Sequence, residues 1–288
     1  MKFSTLKKSK NINERPTLTK IGYLVVLILM SFIISMFASI SIMFLNEHNY
    51  IVAITSLVIG IPLSIVAIIF FYKYWTLVNP EKHINKSKVI TKDNMKFFII
   101  LLVVYIIYQI IVSMFNTNGN SIKNINSLSW ISIIIIWWFR GVVAPILEEI
   151  TMRGVFLSLF FREPRMYSYM IPNMDPRVVQ MIAGVLVSAI ISTLLHGSGS
   201  GITLLGFFVN GVIASILYYK TKHVFYPILF HFINNQIVVI VLILYYTGII
   251  HVWFIRVFFF LQLKLNICLF RDSLNKYQII LRLLLNGI

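Results

Sequence analysis

The chain has 288 residues, 59% of them hydrophobic and only 12% charged, with a formal net charge of +16; water-soluble domains carry about a quarter of charged residues, so this balance excludes one. The positive charge does not point to a nucleic-acid partner, because the basic residues fall between apolar runs and form no stripe interleaved with aromatics. One cysteine, Cys268, excludes an internal disulfide and any paired-cysteine metal centre.

A basic tail, 1–20, precedes the first apolar run, 21–46, which is longer than a signal-peptide core and reads as an uncleaved first span. Further spans are predicted at 51–72, 97–115, 128–161, 178–198, 202–219, 224–248 and 252–270. Each reaches the roughly 18 residues that cross a hydrocarbon core about 30 Å thick. The fourth is too long for one straight crossing. Gly141 and Pro145 mark a point where a surface helix could bend into the bilayer, so that crossing is expected to begin late. No repeat of solenoid length is present.

Lysine and arginine are distributed as cytoplasmic retention of positive charge requires. The tail 1–20 and the segments 73–96, 162–177, 220–223 and 271–288 hold twenty of the 25, whereas the alternate loops hold only Lys123. The expected fold class is therefore all-α: a polytopic transmembrane helix bundle of about eight spans, both termini cytoplasmic, in a cell membrane. It divides into the tail 1–20, N-terminal helices over 21–125, a core over 126–250 that holds the polar motifs, and a C-terminal span with basic tail over 251–288.

The chemistry concentrates in the fourth span, which reads Gly141-Val-Val-Ala-Pro145-Ile-Leu-Glu148-Glu149-Ile-Thr-Met-Arg153-Gly154. An ionised group at the bilayer centre costs about 2.5–3.5 kcal/mol on insertion scales unless paired or wetted. Glu149 and Arg153 stand four apart with the acid first, the favoured helical ion-pair order. Glu148 points about 100° away, free to face a water-filled cavity as a general base. The alternative is interfacial charge that fixes helix depth, with Arg140 and Arg162 part of it. His196 closes the run Ala189-Ile-Ile-Ser-Thr-Leu-Leu-His196, just before Gly197-Ser-Gly-Ser-Gly201; alone, a histidine there is more often a cap or interface residue than a catalyst. His231 and Asn235, at i and i+4, share one helix face and can both donate hydrogen bonds, which suits an oxyanion site or equally an interhelical polar clasp.

The arrangement Glu148-Glu149-x-x-x-Arg153, then His196, then His231-x-x-x-Asn235 resembles the CAAX-protease and bacteriocin-processing family of intramembrane endopeptidases, also called the Abi family. The likeness covers about 140–240, including Ala144-Pro145 and Lys220-Thr221. It implies that Glu148 and His196 activate a water, that Glu149 and Arg153 support the site, and that His231 and Asn235 stabilise the oxyanion. Two positions depart: Ser192 and Met152 stand where the family usually has phenylalanine.

The expected function is an intramembrane endopeptidase acting on a membrane-delivered peptide or C-terminal, CAAX-like segment, with a peptide or membrane protein and the lipid bilayer as partners and no nucleic acid. A non-catalytic protein of the same fold, such as a bacteriocin-immunity factor, is the alternative. A proton-coupled transporter is disfavoured because no inverted repeat is visible. No His-Glu-x-x-His or Gly-x-Ser-Gly turn is present. No cofactor is certain; glutamate, histidine and asparagine could ligate zinc or act on water without a metal, and the metal-free route is the expectation. One geometric demand follows. If 178–198 runs outward and 224–248 starts inside, His196 and His231 begin at different depths and must be brought level.

Overall fold

In the computed structural model, residues 17–79, 90–114, 129–161, 164–167, 169–171, 173–196 and 201–247 are described. Among them every regular element is helical. We number the helices α1 (Thr17–Asn46), α2 (Tyr50–Val78), α3 (Lys92–Met114), α4 (Trp130–Phe160), α5 (Pro176–Leu195), α6 (Gly201–Thr221) and α7 (Phe225–Tyr246). Six of them, α1 to α6, are long and apolar enough to cross a membrane, which makes this an integral, multi-pass membrane protein. The seventh predicted span coincides with α7. The eighth, 252–270, lies outside the described residues, as do the glycine turn 197–200 and both termini.

The helices start where the sequence supplies acceptors for their unpaired N–H groups. Asn49 accepts from Val52 N at 3.3 Å to open α2, Ser129 accepts from Ser132 N to open α4, and Asp175 accepts from Arg177 N ahead of Pro176 to open α5. Within the spans, hydroxyls satisfy themselves: Ser31, Ser39, Ser41, Thr193 and Ser215 each donate to the carbonyl four residues back. A hydroxyl in hydrocarbon has no water to bond, so this local closure lets small polar residues sit in apolar helices.

Burial orders the bundle. Half of the apolar window of α4 is buried, against 11% for α3, so α4 is central and α3 peripheral. One core cluster joins α1, α2 and α4 through Ile42, Phe71, Trp75, Leu147 and Val155. A second joins α3, α6 and α7 through Tyr105, Leu217, Tyr226 and Phe230. The outward faces of α1, α2 and α3 carry exposed aliphatics such as Val58 and Val104, a surface suited to lipid.

The pair α5 and α6 packs closely because small residues face each other. A Cβ added at Gly211 would lie 2.9 Å from the Ala189 Cα, and backbone cannot step aside as a side-chain tip can. Gly211→Val is therefore expected to destabilise the protein by about 1–3 kcal/mol, the usual cost of overpacking. A thermal midpoint in detergent equal to that of the unsubstituted chain would show that the contact is looser than it looks.

The fourth predicted crossing is a single helix, with α4 unbroken over 31 residues. It absorbs Gly141 and Pro145 by changing its hydrogen-bond pattern rather than by breaking. Trp137–Val143 and Ile150–Phe156 are π-helical, and Ala144–Glu149 between them is α-helical.

Candidate active site

Pro145 explains how α7 docks onto α4. In the wide π-pattern the Ala144 N–H reaches back five residues to the Phe139 carbonyl. The next donor in that series would serve Arg140 O, but residue 145 is proline and has no N–H. The Asn235 side-chain amide takes its place, donating to Arg140 O at 2.8 Å. Gln236 completes the clasp by donating to Gly141 O at 3.0 Å and accepting from Trp137 Nε1 at 2.9 Å. π-Turns of this kind are frequent at functional sites, and this one holds the two glutamates beside α7.

Below the clasp lies a dry ionic cluster. Arg153 and Glu149 are each about 1% exposed, and the Arg153 Nη1 donates to Glu149 Oε1 at 3.2 Å. The same guanidinium donates to Gly211 O at 3.1 Å and to Ser192 Oγ at 3.4 Å, tying α4 to α5 and α6. Ser192, one of the two departures from the family pattern, thus supplies an acceptor that phenylalanine could not. Met152, the other, is buried in the first core cluster and is not part of the cavity wall. His231 Nδ1 lies 2.9 Å from Glu149 Oε1. A carboxylate accepts, so Nδ1 carries the proton and Nε2 is the nitrogen left for other work.

Glu148, the neighbour of Glu149, is different in kind: its side chain is 30% exposed and its Oε2 lies 3.6 Å from His196 Nε2. The other ring nitrogen of His196 is 2.6 Å from the Ser192 carbonyl, which can only accept, so in the neutral ring Nδ1 bears the hydrogen and Nε2 the lone pair. Phe207 packs against the ring with centroids 4.1 Å apart and the two planes tilted by 35°. At 3.6 Å the two atoms are beyond direct hydrogen-bond reach. A water oxygen about 2.8 Å from each fits that separation.

Glu148, Glu149, Arg153, His196, His231 and Asn235 all line one cavity of about 50 Å³, room for on the order of one or two waters. The depth difficulty is resolved by the adjacency of the glutamates: His196 meets Glu148, His231 meets Glu149, and both histidines are held at the level of consecutive residues of α4. The donor pair anticipated at His231 and Asn235 is more committed than the sequence suggested. Each already donates once, to Glu149 and to Arg140 O, so each brings only its remaining nitrogen or hydrogen to the cavity.

Four polar cavity residues were not anticipated: Tyr105 and Gln109 from α3, Asn210 from α6, and Asn234 from α7. Gln109 Nε2 donates to the Tyr105 hydroxyl, which also faces the amides of Asn210 and Asn234. Among the described residues no three histidine, cysteine, aspartate or glutamate side chains converge as metal ligands would. That geometry does not fit a resident zinc.

Two glutamates and two histidines, carried by three helices of a membrane protein, thus share one water-sized cavity. Residues 130–237 match the model of a family described as type II CAAX prenyl endopeptidase Rce1-like. The resemblance read from the motifs is borne out over that segment, which holds all six motif residues and not Tyr105 or Gln109. No curated protein and no solved structure matches the chain.

Proposed function

We propose that this protein is an intramembrane endopeptidase that hydrolyses a peptide bond in a membrane-delivered peptide or C-terminal, CAAX-like segment, using a water held between Glu148 and His196. The observation that carries the reading is the facing of Glu148 Oε2 and His196 Nε2, 3.6 Å apart, in a cavity enclosed by spans. In this scheme the water gives a proton to that pair as its oxygen attacks the scissile carbonyl carbon. The same pair returns a proton to the departing amine as the carbon–nitrogen bond breaks.

The developing oxyanion needs donors in a place where water cannot reorganise. His231, anchored through Nδ1 to Glu149, offers Nε2–H when it is an imidazolium paired with that carboxylate. Asn235 offers its second amide hydrogen. Arg153 touches no reacting atom; it balances Glu149 and thereby holds His231 in position. The setting is a cell membrane, with both termini on the cytoplasmic side.

The test is hydrolysis in proteoliposomes of a prenylated peptide with a CAAX-type C-terminus, beside the same peptide without the prenyl group. The unsubstituted protein is expected to cleave and Glu148→Ala to be inactive while keeping its thermal midpoint. A folded Glu148→Ala protein that cleaves at full rate ends the enzymatic reading.

A further inference from the structure

A second cavity, about 430 Å³ in volume, shares no lining residue with the first. It lies where the C-terminal end of α4, the N-terminal end of α5 and the C-terminal end of α6 converge, beside Arg177 and Lys222. Its size is that of pockets that take small organic ligands, and its wall has two characters. Arg177, Lys222, Gln180 and Tyr219 give a polar side, and Leu157, Phe161, Val178 and Met181 an apolar one.

Arg177 and Lys222 are exposed, and neither has an acidic partner among the described residues. Lys222 lies at the end of α6 with φ 55°, a left-handed backbone that glycine adopts at lower cost, and its ammonium sits 5.2 Å from the centre of the Tyr219 ring. The Tyr219 hydroxyl is buried against Gly184 and has no hydrogen-bond partner among the described residues. The apolar side opens outward, since Val178 and Met181 are each 39% exposed or close to it. Two cations beside an apolar exit, at the end of a transmembrane bundle, match a ligand with an anionic head and a hydrocarbon tail.

We propose that this cavity binds the phosphate headgroup of an anionic phospholipid, its acyl chain leaving past Val178 and Met181. Arg177 gives the phosphate a planar, multidentate donor and Lys222 a point charge. The apolar exit is what selects a lipid over a free anion. Bound lipid would bridge α4, α5 and α6.

The experiment is a titration of the full chain in detergent, read by native mass spectrometry, with phosphatidylglycerol and phosphatidylcholine of identical acyl chains. A basic side chain at a membrane surface contributes about fivefold in affinity for anionic lipid. Arg177→Gln with Lys222→Gln is therefore expected to weaken phosphatidylglycerol binding about 25-fold and to erase its preference over phosphatidylcholine. Lys92→Gln with Lys96→Gln, an exposed basic pair on α3 outside the cavity, is expected to change nothing. Equal affinity of the unsubstituted protein for the two lipids overturns the proposal, and so does an equal loss in the control pair. Displacement of phosphatidylglycerol by millimolar inorganic phosphate overturns the lipid assignment, because it would leave the acyl chain no part in binding.

Discussion

Arg153→Met is expected to destabilise the protein by about 3–5 kcal/mol, the range for removing one partner of a buried ion pair. The guanidinium serves acceptors on three helices: Glu149 on its own, Ser192 on α5 and Gly211 O on α6. Methionine fills much of the same volume, so the loss is electrostatic more than steric. Among the described residues, Glu149 would be left almost fully buried with His231 as its remaining partner and with Oε2 lacking one. Glutamine at 149 removes the stranded charge yet can still accept from His231, so Arg153→Met with Glu149→Gln is expected to recover most of the loss. Thermal and denaturant unfolding in detergent decide it. A single variant within about 1 kcal/mol of the parent, a change typical of an ordinary substitution, would show that Glu149 is held uncharged and that the ionic account of the cluster is mistaken.

The largest effect on activity is expected at the other glutamate. Glu148→Gln and His196→Ala are each expected to lower kcat by about 10²–10⁴-fold, the span of general acid–base catalysis. If the two groups hold one water between them, losing either disables the unit. The double variant should then fall no more than about threefold below the worse single one, as residues that act together are strongly non-additive. Both side chains are partly exposed and meet only across 3.6 Å, so the variants are expected to unfold at the parental midpoint. Rate losses that multiply in the double variant would assign Glu148 and His196 to separate steps.

Much of the architecture is legible because the bilayer imposes a simple length rule. The run predicted at 51–72 lies within α2, whose last turns it misses, and that at 178–198 coincides with α5 to within about three residues at either end. The central helix was legible in its extent and not in its form. Gly141 and Pro145 were signals of irregularity, but whether a helix bends or widens depends on what satisfies the released carbonyls. The answer sits 95 residues away, at Asn235 and Gln236.

The site divides in the same way. Glu149 and Arg153 are local partners at helical spacing and could be paired on sequence alone. Tyr105 and Gln109 could not be linked to them, because α3 is peripheral and its approach to the cavity is tertiary. Asn210 did leave a signal, a carboxamide inside an apolar span. The roles of the individual ring nitrogens were beyond any pattern. They follow from what the opposite nitrogen touches, Ser192 O for His196 and Glu149 for His231.

The paired widened turns of α4 make the aim of the two carboxylates a matter of arithmetic along the chain. Each wide turn accommodates an additional residue, so excising one from Trp137–Val143 would let that stretch tighten to ordinary helix. Everything downstream would then swing by about 100° around the axis relative to Trp137. Side chains would keep their identity and their neighbours in sequence while Glu148 and Glu149 turned toward another face. Insertions and deletions in this stretch should accordingly be far more damaging than point changes at the same positions.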